Sequence, residues 1–229
     1  ELACTSALDL VVWPRSLTLN ASLTPAYRYL DGPLTGVVGD GRCIIAQPED
    51  IPHQDAIDPA LLTVETWIKV PEEIAKSNFG WVLCKNRNEN TEGNFGFLLK
   101  NGRFSATMNL GGGAQNRHEL TAQEYSVSDK WHHLALTYDG KAMSFYLDGK
   151  LQESKVIGKP RIPGKEALRI GKRADNSGAP VKGIYDQTRI WNRSLTAQQI
   201  KQHAQRPHQI RNRQGLVLEH NYGNQYQLP

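Results

Sequence analysis

Three polar runs hold the side chains best equipped for recognition chemistry. Arg87, Asn88 and Asn90 lie in NRNENTEGN, Asn116 closes GGGAQN and is followed by Arg117 and His118, and Arg173, Asp175 and Asn176 lie in KRADN. Guanidinium, amide, imidazole and carboxylate groups form the directed and paired hydrogen bonds that a polyhydroxylated ligand requires. The same Asn and Gly residues also serve as ordinary turn formers, so composition alone leaves both roles open.

Spacing that would support bond cleavage is missing. Retaining hydrolysis of a glycosidic bond needs two carboxylates about 5 Å apart, one as nucleophile and one as acid. A strand supplies such a pair at i and i+2 on one face, yet no two acidic residues here have that spacing. G-x-S-x-G, H-E-x-x-H and paired C-x-x-C motifs are also missing. The sequence therefore points away from catalysis, although an acid pair assembled from distant strands stays open.

His132 and His133 are adjacent in a strand-like run, so they point to opposite faces and do not chelate one ion; a packing role is expected. Cys4, Cys43 and Cys84 allow at most one disulfide and leave three pairings open. Cys43 and Cys84 fall in apolar strand patterns, which predicts buried thiols. Of the five tryptophans, Trp67 and Trp131 read as packing residues, while Trp81, in a strand that leads to a polar loop, reads as half exposed.

The net charge of +4 is unevenly placed. Lys150, Lys155, Lys159, Arg161, Lys165, Arg169, Lys172 and Arg173 fall in one stretch, opposed only by Glu153 and Glu166. A solvated strand face is the first reading; a patch for sulfated or uronate polymers is the second. No aromatic-interleaved nucleic-acid motif is present, and no apolar run is long enough to span a bilayer. The chain starts at Glu1 rather than Met, which leads us to expect a processed or trimmed form.

The elements that position these groups read as strands. Alternation places Leu62, Val64, Thr66, Ile68 and Val70 on one face of a core strand. Further strands are expected over 79–85, 95–100, 104–110, 119–124, 131–138, 143–147, 151–157, 167–170 and 183–191, with a last one over 215–222 that pairs with a lead-in strand at Leu10–Trp13. Residues 37–46 read as a strand interrupted by Gly39-Asp40-Gly41, and 48–59 as a Pro-marked loop. Asp139-Gly140 and Asp148-Gly149 are hairpin turns, because Asp-Gly tolerates positive φ. Ser194 is expected to cap a short helix over 195–204 that Pro207 ends. Short, evenly spaced strands with one helix predict an all-β, two-sheet antiparallel jelly-roll sandwich. The 229 residues read as one domain, with a lead-in over 1–33, a core over 34–206 and a C-terminal strand extension over 207–229.

Three blocks carry a family resemblance: WHHLALTYDG followed by FYLDGK (131–150), LTVETWIKV (62–70) and GIYDQTRIWNRSLTAQQI (183–200). In that order they resemble the laminin G-like branch of the concanavalin A-like lectin/glucanase superfamily. The resemblance implies a sandwich that hosts lectins, adhesion domains and glycan-cleaving enzymes alike. It also implies a rim calcium held by Asp186 and the Gly39-Asp40-Gly41 turn, with Gln187 standing where the family commonly has an acid. The glucanases' E-x-D-x-x-E strand and the polysaccharide lyases' motifs are absent. The expectation is therefore a non-catalytic carbohydrate-binding module, calcium-ordered, in a secreted, periplasmic or cell-surface protein. An adhesion module binding protein or an anionic polymer through 150–173 is the alternative. A divergent glycoside hydrolase or polysaccharide lyase comes third.

Overall fold

The computed structural model describes residues 29–30, 41–44, 49–70, 79–124, 130–175, 177, 179–181, 183–207 and 209–220. Fifteen strands are described: β1 (Tyr29–Leu30), β2 (Gly41–Ile44), β3 (Glu49–Ile51), β4 (Leu62–Lys69), β5 (Phe79–Lys85), β6 (Phe95–Lys100), β7 (Arg103–Asn109), β8 (Arg117–Thr121), β9 (Trp131–Tyr138), β10 (Ala142–Leu147), β11 (Lys150–Val156), β12 (Leu168–Ile170), β13 (Ala179–Pro180), β14 (Gly183–Trp191) and β15 (Leu216–His220). One α-helix, α1, spans Ala197–Gln205.

The strands build two facing sheets. Sheet A runs β1-β2-β14-β4-β9-β10-β11, with β15 also on β14; sheet B runs β3-β12-β5-β6-β7-β8, with the short β13 parallel to β5. Every other pairing is antiparallel. This is the two-sheet antiparallel sandwich the strand pattern predicts. Its core interleaves the inward positions of both sheets, among them Leu62, Val64, Ile68, Leu134, Leu136 and Phe145 from sheet A and Val82, Phe97, Phe104, Ala106 and Met108 from sheet B.

Local chemistry explains the turns. Asp148 and Gly149 both take positive φ, 51° and 74°, as a two-residue hairpin turn requires. Asp139 Oδ1 accepts the N–H groups of Lys141 and Ala142, at 2.8 and 2.7 Å, and so closes the turn before β10.

Several boundaries differ from expectation. Glu49–Ile51, expected as part of a loop, forms β3 on the edge of sheet B; Ile51 is buried and Arg169 of β12 grips Asp50. β13 and β1 were not anticipated: a two-residue strand is too short to leave a periodic signal. The helix is capped by Thr196, not Ser194. Thr196 and Gln199 form a capping box in which each side chain accepts the other's backbone N–H. Leu195 before the cap and Ile200 at the fourth helical position join one apolar cluster, a hydrophobic staple that fixes how α1 enters. The described partner of β15 is β14, and the Leu10–Trp13 strand lies outside the described residues. Trp81 is buried, at 2% exposure, rather than half exposed: it clusters with Cys84 and Leu98, and Ala174 from the segment after β12 packs against them. Cys84 is buried and free, while Cys4 and the side chain of Cys43 lie outside the described residues.

Candidate functional site

The polar runs converge at one rim of the sandwich. Loop 86–94 lies between the other two. Asp175 donates its N–H to the Arg87 carbonyl at 3.1 Å, and Asn88 Nδ2 reaches Asp175 Oδ2 at 3.4 Å. On its other side, Gly113 donates to the Asn90 carbonyl at 2.8 Å, and Asn109 Nδ2 donates to the Glu89 carbonyl at 3.0 Å. Arg173 Nε lies 3.5 Å from Glu89 Oε2 and 3.4 Å from Asp175 Oδ2. The predicted rim residues are thus brought together, but much of their hydrogen-bonding capacity joins loop to loop. Asn116 follows the same logic, its Nδ2 donating to the Gly112 carbonyl at 2.7 Å and its Oδ1 accepting from Lys159 Nζ at 2.6 Å. Asn176 lies outside the described residues.

A buried ionic knot anchors this rim from below. Asp58 Oδ2 accepts from Asn86 Nδ2 at 2.6 Å, from the Gly164 N–H at 2.8 Å and from Lys85 Nζ at 3.3 Å, while Asp58 Oδ1 takes the Arg161 guanidinium. Burial pushes Lys85 and Arg161 below their ordinary pKa, and Asp58 opposes that shift in both. Arg161 also sits 5.1 Å from the Phe95 ring centre. Asp58 thus touches all three of loops 52–60, 86–94 and 157–166, which Asn86 and Arg161 also tie together through Glu166, Pro59 and Gly93. Gly93, at φ 71°, presses so close to Gly164 that a Cβ there would lie 2.1 Å from the Gly164 nitrogen.

Arg117 and His118 belong to β8 and point to opposite sides. Arg117 faces outward and pairs with Glu119, whose other oxygen takes Lys100 of β6. Lys100 lies 5.7 Å from the ring centre of Phe79, which is 57% exposed at the start of β5. The outer face of sheet B therefore carries an exposed aromatic ring followed by a lysine, a carboxylate and an arginine. Phe79, Lys100 and Glu119 were not legible as site residues. The one available signal was that Phe79 alternates with Trp81 on one face of its strand.

The three arginines of the basic stretch are spent internally. Arg161 is buried on Asp58, Arg169 on Asp50 forms a two-pronged pair, and Arg173 lies between Glu89 and Asp175. Lys155 and Lys159 have no ion pair among the described residues.

For the calcium expectation, Gly39 and Asp40 lie outside the described residues. Asp186 is fully buried at an irregularity in β14, where Gln187 takes φ 51° and donates its N–H to Asp186 Oδ1 at 2.8 Å. Tyr185 pairs with Arg42, so the antiparallel register carries Asp186 to the level of Gly41. One carboxylate with neighbouring carbonyls is an oxygen-only set of the kind calcium accepts. Among the described residues, no three His, Cys, Asp or Glu side chains gather around a possible ion.

The outer face of sheet A is closed by α1. Glu65 of β4 is buried there, accepting from Trp191 Nε1 at 3.1 Å and meeting His203 Nδ1 at 2.9 Å and His133 Nε2 at 3.4 Å. Burial alone would raise its pKa, but the hydrogen bonds and charges of His133 and His203 outweigh it and hold Glu65 far below the carboxylate range. His132 points the other way, beside Phe104 and 2.9 Å from Asp148 Oδ2. The two histidines therefore sit on opposite faces, as expected, and both pack.

Among the described residues, the carboxyl groups with shifted pKa values are shifted down. Burial opposes the shift at Glu65, Glu119, Asp175 and Glu219, and partners overcome it; at Asp139 two backbone N–H groups lead. A general acid for glycoside cleavage needs the opposite shift. Glu89 and Asp175 share one rim cation, the Arg173 guanidinium, which lies within 3.5 Å of both.

With fold and site in view, the chain belongs to the concanavalin A-like lectin/glucanases superfamily, whose laminin G-type family model matches residues 46–201. No curated protein matches the sequence. Among solved structures, domain 4 of AbnA, a GH43 extracellular arabinanase from Geobacillus stearothermophilus in complex with arabinotriose, is 18% identical with a TM-score of 0.59; the match covers 78% of this chain and 81% of that one. The binding domain of botulinum neurotoxin serotype D is 15% identical with a TM-score of 0.57, over 78% and 46%. A native heptameric SAP-like pentraxin from Limulus polyphemus is 16% identical with a TM-score of 0.53, over 80% and 90%. The chain spans less than half the length of the toxin binding domains it matches. At these identities the likeness is one of fold.

Proposed function

We propose that this protein is a non-catalytic carbohydrate-binding module acting outside the cytoplasm, secreted, periplasmic or on a cell surface. The observation that carries the reading is the outer face of sheet B, where exposed Phe79 stands beside the Lys100–Glu119–Arg117 chain. A sugar's C–H face stacks on an aromatic ring, and charged groups beside it give the strongest hydrogen bonds to hydroxyls. The arabinotriose held by the arabinanase domain of like fold supports this choice of ligand class. The downward-shifted carboxyl groups favour binding over cleavage. No helix among the described residues is long and apolar enough to cross a membrane.

Calcium belongs to the proposal through Asp186 and the 39–41 turn, where it would fix the turn against β14 and supply local positive charge. Its check is a melt in calcium chloride and again in chelator. A ligand that binds only the folded chain raises its midpoint, and Asp186→Asn should abolish the calcium-dependent difference.

The reading itself is tested on an array of neutral and acidic glycans, with Phe79→Ala alongside the native chain. Loss of ring stacking should weaken binding by roughly two- to tenfold with an unchanged melting midpoint. Release of reducing ends from a bound polysaccharide would overturn the non-catalytic assignment. An array silent for both proteins would overturn the carbohydrate assignment.

A further inference from the structure

β8 and β11 are edge strands of different sheets, and they meet at one open seam of the sandwich. Glu153 of β11 accepts the Thr121 N–H of β8 at 3.2 Å, and Gln123 Nε2 reaches the Gln152 carbonyl at 3.1 Å. On β11, Lys155 pairs across from Met143 and Glu153 from Phe145, two core residues, so both charged side chains project toward the seam. On β8, His118 alternates with Leu120, another core residue, so the imidazole enters the same seam from the opposite sheet. Lys159 follows β11, and the turn there is fixed because its carbonyl accepts the Tyr138 hydroxyl.

The seam is electrically one-sided at this end. Desolvation lowers the pKa of His118, and the nearby Lys155 and Lys159 ammonium groups lower it further. His118 Nδ1 is buried and has no hydrogen-bond partner among the described residues. Two acids flank this end of the seam, Glu153 within it and Glu119 outside it. Glu153 is on the Thr121 N–H, while Glu119 is on the far side of β8 with Lys100 and Arg117. Lys159 makes a neutral contact with Asn116 Oδ1, and Lys155 makes none. An edge strand gains protection from a single inward lysine, but that does not account for two lysines beside a half-buried imidazole of the other sheet.

We propose that His118, Lys155 and Lys159 form a subsite for an anionic substituent of a glycan, a sulfate ester or a uronate carboxylate. The two ammonium groups supply charge and His118 supplies a directed donor once protonated, with Asn116 completing the polar wall. The proposal rests on the carbohydrate reading in that Arg117, next to His118, faces the outer surface of sheet B. A saccharide lying across that surface passes over β8 and brings its substituents to the seam. The acidic ligand is thus assigned to three residues, two of them in the basic stretch, rather than to the stretch as a whole.

The test uses inorganic sulfate first, because it probes the subsite without assuming any sugar. The ring resonances of His118 are followed by NMR through a sulfate titration and a pH titration, in the native chain and in Lys155→Gln/Lys159→Gln. The expected result is a saturable shift of the His118 ring and a rise in its pKa with sulfate, weakened at least tenfold in the double variant. A His118 ring that ignores sulfate, or responds equally in both proteins, overturns the subsite. A shift that never saturates marks an adventitious ion only and overturns it as well.

The second arm compares a sulfated polysaccharide, its desulfated form and vesicles of anionic phospholipid. A sulfated form bound at least tenfold more tightly, with that margin lost in the double variant, supports the glycan assignment. Preference for vesicles overturns it. A sulfate-responsive His118 with no polysaccharide bound would leave the anion subsite standing and the carbohydrate reading refuted, so the two failures are distinguishable.

Discussion

Glu65 on β4 and His203 on α1, 138 residues apart in sequence, meet at 2.9 Å in the buried layer between sheet A and its helix. The same carboxylate also takes the Trp191 indole N–H and lies beside His133. The helix is therefore seated by its apolar staple, Leu195 and Ile200, and by one charged contact that only this strand register provides.

Removing that charge should be costly. Glu65→Ala leaves His203 and Trp191 without their buried acceptor, and loss of one partner from such a group costs about 3–5 kcal/mol. His203→Ala removes a single hydrogen bond to a charged group, about 1.5–3 kcal/mol. Urea denaturation followed by tryptophan fluorescence measures both, and equal losses would show that Glu65 does not coordinate the layer.

Acid should loosen the same layer. Glu65, Glu119 and Glu219 are all held below the ordinary glutamate value of 4.5 in the folded chain. A depressed folded pKa contributes stability that is fully present above the unfolded value and lost as pH falls through the folded one. Stability should therefore be flat in these groups above about pH 5 and decline progressively below about 4.5. Denaturation midpoints from pH 7 to 3 check the sign, and Glu65→Gln should flatten the acid limb.

Asp58→Ala should destabilise the rim more than any single loop substitution. It strands two buried cations, Lys85 and Arg161, at about 3–5 kcal/mol. Pairing the substitution with Lys85→Met should recover part of the loss, because one uncompensated charge is removed. Amide exchange in 86–94 and 158–166 reports whether the loosening is confined to the loops that Asp58 joins.

Cys84 gives a direct reporter of opening. Burial pushes its thiol up to about 12, so at pH 8 the folded chain should resist alkylation at this residue while denatured chain reacts readily. Mass mapping of the Cys84 peptide across a urea series should follow the unfolding curve. Labelling well before that transition would mean that the 171–177 loop opens on its own.

Part of this architecture was legible without coordinates. Alternation located β5, β6, β9 and β14 to the residue, and the two Asp-Gly turns were read from backbone preference alone. The helix was located but its cap was misplaced: Ser194 was expected, and Thr196 with Gln199 forms the box. These are properties of neighbouring residues. They are set by φ preference, by which side of a strand a residue faces and by reach within one turn.

The polar partnerships were of another kind. Arg161 finds Asp58 across 103 residues, Arg169 finds Asp50 across 119, and Glu65 finds His203 across 138. No local rule distinguishes an arginine destined for a buried acid from one left in water, so a stretch read first as a solvated face and second as a patch proved to have its three arginines paired. Phe79, Lys100, Glu119 and Arg117 became neighbours only when β5, β6 and β8 took their places in one sheet. The sequence by itself determined most of the longer strands and the Asp-Gly turns, because those follow from short-range periodicity and backbone preference, and three blocks of residues carried the family likeness. Tertiary structure alone decided which charges are consumed in ion pairs and which stay exposed, because strand order and register bring together groups that the chain keeps far apart.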